Sequence, residues 1–221
     1  MANMFSSTIG KKLIMSLSGL FLITFLLVHL SVNLTMLVSS DLYNEGAHFM
    51  ATNPFIKIME PVLGLGLIIH IMYAIILTLR NLKSRPIPYD VKNEGNSSTW
   101  SARNMFVLGC FVLTFTIIHI INFWWKIKVS GSIPTTTVNG VEMHDTFTLV
   151  TSLFQIWWYD VIYIISFAFL GLHLSHGFWS AFQTIGMNNS KWFKRLKIAG
   201  HIYATVIVCG FTIIPLYFLL Q

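Results

Sequence analysis

Six of the eight histidines lie inside long runs of residues that contain no Asp, Glu, Lys or Arg. They are His29, His70, His119, His173, His176 and His201. An ionisable side chain inside a bilayer is costly, and it usually marks a transport path or a cofactor. Neutral imidazole binds a metal through one nitrogen and forms a hydrogen bond through the other. A single such histidine is more often a packing residue, but histidines on several different helices favour metal or cofactor binding.

The uncharged runs that carry these histidines have the length of membrane-spanning helices. The 221-residue chain is 55% hydrophobic and 10% charged, whereas soluble chains are about 25% charged. We therefore predict an all-α membrane protein, with residues 1–221 forming a single transmembrane domain. Its five helices are predicted over about residues 13–38, 54–82, 103–127, 155–184 and 196–220. Each run can cross about 30 Å of hydrocarbon, and the sequence lacks the strand alternation of a β-barrel.

Basic residues are distributed unequally between the two ends of these helices. Eleven of the fourteen lie on one side of the predicted membrane, and only Lys57, Lys126 and Lys128 lie on the other. The positive-inside rule places the richer side, and with it the N-terminus, in the cytoplasm and the C-terminus outside. The net charge of +6 is thereby explained by topology, and we expect no nucleic-acid partner. The eleven are Lys11, Lys12, Arg80, Lys83, Arg85, Lys92, Arg103, Lys191, Lys194, Arg195 and Lys197.

Four of the histidines fall at two matched depths in the membrane. His29 and His119 each lie about 12–14 Å below the outer surface, at a rise of about 1.5 Å per residue. His70 and His173 each lie about ten residues from the cytoplasmic end of their spans. Two level pairs suit two bis-histidine haems stacked across the bilayer, and two axial ligands leave iron no open position, which favours electron transfer. A zinc site would instead place three or four ligands at one depth.

Several segments, in order along the chain, resemble the cytochrome b membrane anchor of succinate dehydrogenase and fumarate reductase. The resemblance is to the single-chain, five-helix, two-haem type, and it extends over nearly the whole chain. The segments are residues 28–33, 46–50, 69–70, 103–108, His119 and 173–180.

The resemblance implies a set of cofactors and partners. It makes His29 and His119 the ligands of an outer haem b, and His70 and His173 those of an inner one. It implies a quinone, of the menaquinone type, and a location in the bacterial cytoplasmic membrane. It also implies a succinate:quinone oxidoreductase in which a flavoprotein and an iron–sulfur subunit bind the cytoplasmic face. The family includes both succinate oxidation and fumarate reduction, and the dicarboxylate chemistry does not occur on this chain.

Glu60 is the candidate for proton transfer linked to quinone. It lies ten residues before His70, so about 15 Å further out, and we expect it level with the His29 and His119 pair. A carboxylate there could relay the protons that quinone chemistry moves. The other interpretation is a carboxylate at a helix start, stabilised by the helix dipole.

The remaining polar residues are weaker candidates. His176, one turn after His173, is either a second ligand or a hydrogen-bond or propionate partner. Asp160, Tyr43, Asn33 and Gln155 are further candidates, whereas we expect His48, His144 and His201 at the surface or in helix packing.

Two alternative functions remain compatible with buried histidines. One is the di-haem b subunit of another respiratory complex, such as a hydrogenase, formate dehydrogenase or nitrate reductase. The other is a transporter or scaffold without haem. Segments 46–50 and 177–180 favour the succinate and fumarate type over the first. The spans lack the broken helices and acidic relay expected of a transporter.

Overall fold

A computed structural model describes residues 7–84 and 99–220. Its five long helices each have the length and hydropathy needed to cross a membrane, which confirms the predicted all-α membrane bundle. In chain order the helices of the described residues are α1 Thr8–Leu34, α2 Ser40–Thr52, α3 Pro54–Lys83, α4 Trp100–Arg103, α5 Met105–His119, α6 Thr146–Phe154, α7 Trp157–Thr184 and α8 Ser190–Leu219. The spanning helices are α1, α3, α5, α7 and α8, and α5 continues as π-helix to Ser130.

Side-chain caps set the start of most spanning helices. The hydroxyl of Ser7 accepts a hydrogen bond from the Gly10 amide at the start of α1. Asn53 caps α3 in the same way, and Pro54 follows in the first position, where its missing N–H costs nothing. Asn189 accepts from the Trp192 amide at the start of α8. These caps satisfy backbone donors that would otherwise be left unpaired at the membrane boundary.

The core of the bundle lies between α7 and α8, with α1 and α5 packed against them. Tyr163 and Ile207 are almost completely buried there. A Cβ atom at Gly171 would lie 2.5 Å from Val208 Cγ2, so the glycine lets α7 and α8 approach closely, as small residues do in membrane helix pairs. By contrast, α3 contributes no buried residue and packs mainly on α1.

The segments between spans on the outer side form a folded layer, here called the outer cap. It consists of α2, α6 and a β-hairpin of strands β1 Thr135–Val138 and β2 Val141–His144. The hairpin lies between the predicted third and fourth spans, where no strand was predicted. Asn139 and Gly140 both adopt positive φ, at 51° and 78°, and close a tight hairpin turn. The fourth span starts at Trp157, because the residues before it form the separate helix α6.

Asn44 joins the elements of the outer cap. Its side chain is 2% exposed, and its Oδ1 accepts hydrogen bonds from Thr146 Oγ1 and the Phe147 amide, each at 2.9 Å. Its Nδ2 donates to Asp145 Oδ1 at 3.2 Å. The adjacent Tyr43 is also buried, and burial raises its pKa to about 12. The amide of one buried asparagine therefore connects α2 to the start of α6.

The cap should lose stability in acid through Asp145. Burial raises the pKa of this carboxyl, but hydrogen bonds from Thr148 and Asn44 outweigh that effect and hold the pKa below its ordinary value. A lowered folded-state pKa stabilises the fold above the unfolded pKa of about 3.9, and this stability is lost as pH falls further. We expect Asp145→Asn to lower the melting temperature in detergent at pH 7, and the difference from wild type to shrink below about pH 4.

Glu142→Gln is the control for this experiment on the outer cap, since Glu142 is an exposed carboxylate on strand β2, just before Asp145. A melting-temperature difference for Asp145→Asn that stayed constant between pH 7 and pH 3 would contradict the assignment. The measurement is thermal unfolding followed by circular dichroism.

The opposite end of the bundle carries most of the basic residues. Lys11 and Lys12 begin α1, Arg80 and Lys83 end α3, and Lys191 begins the basic segment of α8. Of the eleven residues that set the predicted orientation, Arg85 and Lys92 lie outside the described residues. The described basic residues of this group lie at one end of the helices, opposite the outer cap.

Candidate functional site

His29 on α1 and His119 on α5 form the pair nearer the outer cap. Their ring centres are 5.6 Å apart, and the ring planes are nearly perpendicular, at 86°. Aromatic rings surround them: Phe25 stacks on His29 at 5.3 Å, and Phe123 contacts His119 at 5.1 Å. The pair is therefore held in an apolar environment from which water is largely excluded.

His70 on α3 and His173 on α7 form the second pair, nearer the basic end. Their ring centres are 6.4 Å apart, with an interplanar angle of 74°. A Cβ atom at Gly19 of α1 would lie 3.3 Å from His70 Cε1. The missing side chain at Gly19 therefore allows α1 to lie directly against this ring.

The spacing of both pairs can be compared with the length of a metal–imidazole bond. That bond is about 2 Å, so two imidazoles whose ring centres lie 5.6 Å and 6.4 Å apart are close enough to hold one metal ion between them. Both pairs therefore fit bis-histidine ligation of a haem iron.

The hydrogen bonds of the four rings differ. His70 Nδ1 lies 3.3 Å from Ser18 Oγ. Asn33 Nδ2, which can only donate, lies 3.4 Å from His29 Nδ1 and donates to the His29 carbonyl oxygen at 2.7 Å. The Nδ1 atoms of His119 and His173 are buried without a hydrogen-bond partner in the described part of the chain. A buried polar nitrogen without a hydrogen-bond partner is destabilising unless another group binds it.

A zinc centre fits this donor set poorly. Residues 7–84 and 99–220 contain no group of three or more His, Cys, Asp or Glu side chains arranged to hold a metal ion. A structural zinc site needs four protein ligands and a catalytic one needs three. The histidines instead meet two at a time, which suits a metal whose other positions are filled by a macrocycle.

Glu60 lies on α3 in contact with the π-helical end of the third span. Its Oε1 accepts a hydrogen bond from Trp124 Nε1 at 2.7 Å, and its Oε2 forms an ion pair with Lys128 Nζ at 2.8 Å. Because α3 begins at Pro54, Glu60 lies beyond the first turn. This position disfavours the interpretation of Glu60 as a helix-start residue.

The structure places Glu60 further out than expected. Its partners Trp124 and Lys128 follow His119 by five and nine residues, so the carboxylate lies outward of the outer pair rather than level with it. Both partners belong to π-helix, a rare conformation that is frequent at functional sites. Glu60 is thus a partly exposed carboxylate between the outer histidine pair and the outer surface.

His176 lies one turn inward from His173 on α7. Its ring packs edge-on against Trp179, with ring centres 4.7 Å apart. Its Nδ1 is buried without a hydrogen-bond partner among the residues described. This nitrogen is therefore free to contact a group bound beside the inner pair.

One curated relative covers most of the chain. It is the succinate dehydrogenase cytochrome b558 subunit of Bacillus subtilis (strain 168), which is 24% identical over 186 residues, or 83% of this chain and 81% of that protein. The chain is similar to this cytochrome b subunit over most of its length. No protein-family model and no solved structure match it. With its five candidate spans, the chain is a multi-pass protein of the bacterial cytoplasmic membrane.

The weaker candidate residues of the chain occupy different environments. Asp160 is 0% exposed, and neither carboxyl oxygen has a hydrogen-bond partner in the described residues. Asn33 lies beside His29, Tyr43 is buried in the outer cap, and Gln155 is exposed at the end of α6. Of the histidines expected at the surface or in packing, His144 and His201 are exposed and His48 is half-buried.

Three residues near the histidine pairs were not predicted from the sequence. Asn122 Nδ2 donates to the Tyr163 hydroxyl at 3.1 Å, and the Tyr163 ring centre lies 6.3 Å from that of His119. Ser18 contacts His70. Tyr163 lies in an aromatic-rich run and Ser18 among other small residues of α1, so neither has a distinguishing local pattern. Asn122 was the one residue of the three that the sequence could have singled out, because it is an asparagine within an apolar span.

Proposed function

We propose that the chain is a di-haem cytochrome b anchor of a succinate dehydrogenase or fumarate reductase, which passes electrons between an iron–sulfur subunit and menaquinone. The observation that carries the proposal is the pair of histidine contacts at 5.6 and 6.4 Å, which join four different spanning helices. Similarity to the succinate dehydrogenase cytochrome b558 subunit of Bacillus subtilis (strain 168) supports the same assignment.

In this proposal His29 and His119 would hold one haem, and His70 and His173 would hold the other. When bound, the two haems would supply one-electron transfer across the membrane. Ser18 would orient the ring of His70, and the surrounding aromatic rings exclude water. His176 adds an unpaired nitrogen on the cytoplasmic side of the inner pair, where it can donate to a haem propionate.

Glu60 serves proton transfer to and from quinone at the outer side. Quinone reduction takes up protons with electrons, so a carboxylate that can hold a proton at Oε2 or Oε1 is suited to the task. Lys128 stabilises the ionised form, and Trp124 fixes the orientation of the carboxylate. Because Glu60 is about one-third exposed (33%), it can exchange protons with the outer aqueous phase.

The basic end of the bundle is the surface that we assign to the soluble subunits. Lys191, Lys194 and Arg195 line a cavity of about 490 Å³ at the start of α8. Positive charge at this surface would attract an acidic face of the iron–sulfur subunit and speed its association. The flavoprotein would then be attached through the iron–sulfur subunit.

The decisive experiment is a dithionite-reduced minus oxidised absorption spectrum of the purified chain, with haem counted by pyridine haemochrome. We expect a b-type α band and two haems per chain, and reduction of part of that haem by succinate in the intact complex. Membranes from the same host without the chain are the control. The absence of a b-type band would favour a haem-free scaffold, and reduction by formate or hydrogen instead of succinate would favour another respiratory complex.

A further inference from the structure

We propose that Ser18 is a positioning residue for His70, which fixes the tautomer of this ring and thereby sets the properties of the inner haem. The proposal rests on the proposed function, because it concerns one of the assigned haem ligands. Ser18 lies on α1, more than fifty residues before His70, and no local sequence pattern links the two.

The hydrogen bonds of Ser18 fit the tautomer of His70 that a ligand needs. Ser18 Oγ donates to the Met15 carbonyl oxygen at 3.0 Å, and it lies 3.3 Å from His70 Nδ1. A hydroxyl has one hydrogen and two lone pairs, so an oxygen that donates to Met15 can accept from a hydrogen on Nδ1. That hydrogen leaves Nε2 with the lone pair that would bind iron.

The backbone of α1 reinforces this orientation. The bond to the Met15 carbonyl oxygen fixes the Ser18 hydroxyl on α1. Gly19, the next residue, brings the helix against His70 Cε1. One turn of α1 therefore both supports the ring and supplies a hydrogen-bond acceptor for it.

The other ligand of the inner pair has no such support. His173 Nδ1 is buried without a hydrogen-bond partner in the described residues. The contact from Ser18 is thus the one side-chain hydrogen bond found on the inner pair within residues 7–84 and 99–220. This asymmetry makes Ser18 the position at which a single hydroxyl can change the inner site without changing the outer one.

An oxygen that accepts from the far nitrogen makes the imidazole a more basic ligand and stabilises ferric iron. Removing it should raise the reduction potential of the inner haem and weaken its binding. Losing such a partner typically costs 10–100-fold in metal affinity. A tenfold change in the equilibrium constant of a one-electron couple corresponds to about 59 mV.

The test compares Ser18→Ala with Ser18→Thr, which retains a hydroxyl, in the purified complex. Thr24→Val is the matched control, because Thr24 Oγ1 also bonds a backbone carbonyl of α1, at 3.0 Å, but on its exposed face. The readouts are haem per chain and a potentiometric titration of the b-haem absorbance. We expect Ser18→Ala to raise the midpoint potential of one haem by about 59 mV, which corresponds to a tenfold change in the equilibrium constant. Ser18→Thr and Thr24→Val should have the midpoint potentials of the wild type.

Unchanged midpoints in Ser18→Ala would overturn the proposal. Equal shifts of both haems, or an equal shift in Thr24→Val, would also overturn it by indicating a general disturbance of α1. If Ser18→Ala does not assemble, Ser18→Cys replaces the hydroxyl with a weaker acceptor and should shift the same midpoint in the same direction. Failure of the proposed function itself would be recognised separately, because the wild-type chain would then contain no b haem.

Discussion

Replacing any one of His29, His70, His119 and His173 with alanine should remove one of the two haems. Under the proposed function each ring would be one of the two protein ligands of a haem, and it lies close to its partner ring on another helix. Alanine supplies no donor and leaves iron with a single protein ligand, so the pyridine haemochrome of the purified chain should fall to about half. We regard this as the largest effect of a single substitution in the protein.

The double variants make this prediction specific to the pairs. Because His29 and His119 would hold the same haem, the double variant should lose no more haem than either single variant, and the same holds for His70 with His173. The combination of His29→Ala with His70→Ala should lose both haems. This non-additivity is the expected signature of groups that act as a unit.

His201→Ala is the matched control, since His201 is an exposed histidine on the spanning helix α8. It should retain two haems per chain. If all four ligand variants also retained two haems, the assignment would be wrong. If His29→Ala and His119→Ala removed different spectral components, the pairing would be wrong even though ligation was correct.

Glu60→Gln should slow quinone-linked turnover by about 10²-fold, the lower range of general acid–base effects. Glutamine keeps the size of the side chain and can still accept from Trp124, but it cannot hold and release a proton at neutral pH. Haem content and the reduction of an artificial soluble dye by succinate should not change, because neither requires proton transfer to quinone.

The ion pair with Lys128 requires a separate control. Exposed pairs of this kind contribute about 0–1 kcal/mol to stability, so Glu60→Gln should melt close to wild type. Glu142→Gln, a carboxylate exchange on the outer cap, should leave quinone turnover intact. Normal quinone activity in Glu60→Gln would mean that Glu60 has no role in proton transfer and serves only as an ion-pair partner of Lys128.

Sequence patterns were sufficient for the parts of the protein that the bilayer itself constrains. Lipid requires uncharged helices of a set length, so the five spans could be predicted to within a few residues at most ends. The third span extends to Ser130 because π-helix follows α5, and α7 starts at Trp157 because α6 precedes it. The starts of α1 at Thr8 and α8 at Ser190 lie five and six residues before the predicted starts, because both helices include the basic residues that flank the uncharged runs. The hairpin of the outer cap was missed since its strands are only four residues long.

The amino-acid sequence by itself determined the depth of each histidine and the asymmetry of basic charge, because both depend only on position along a helix of known rise. Only the tertiary structure decided which side chains meet, since this depends on how each helix is rotated about its axis and where it packs. Glu60 meets Lys128 across 68 residues of sequence, and Ser18 meets His70 across 52. Neither contact has a local sequence signature. The similar depth of His29 and His119 in the membrane, by contrast, could be derived by counting residues from the ends of their spans.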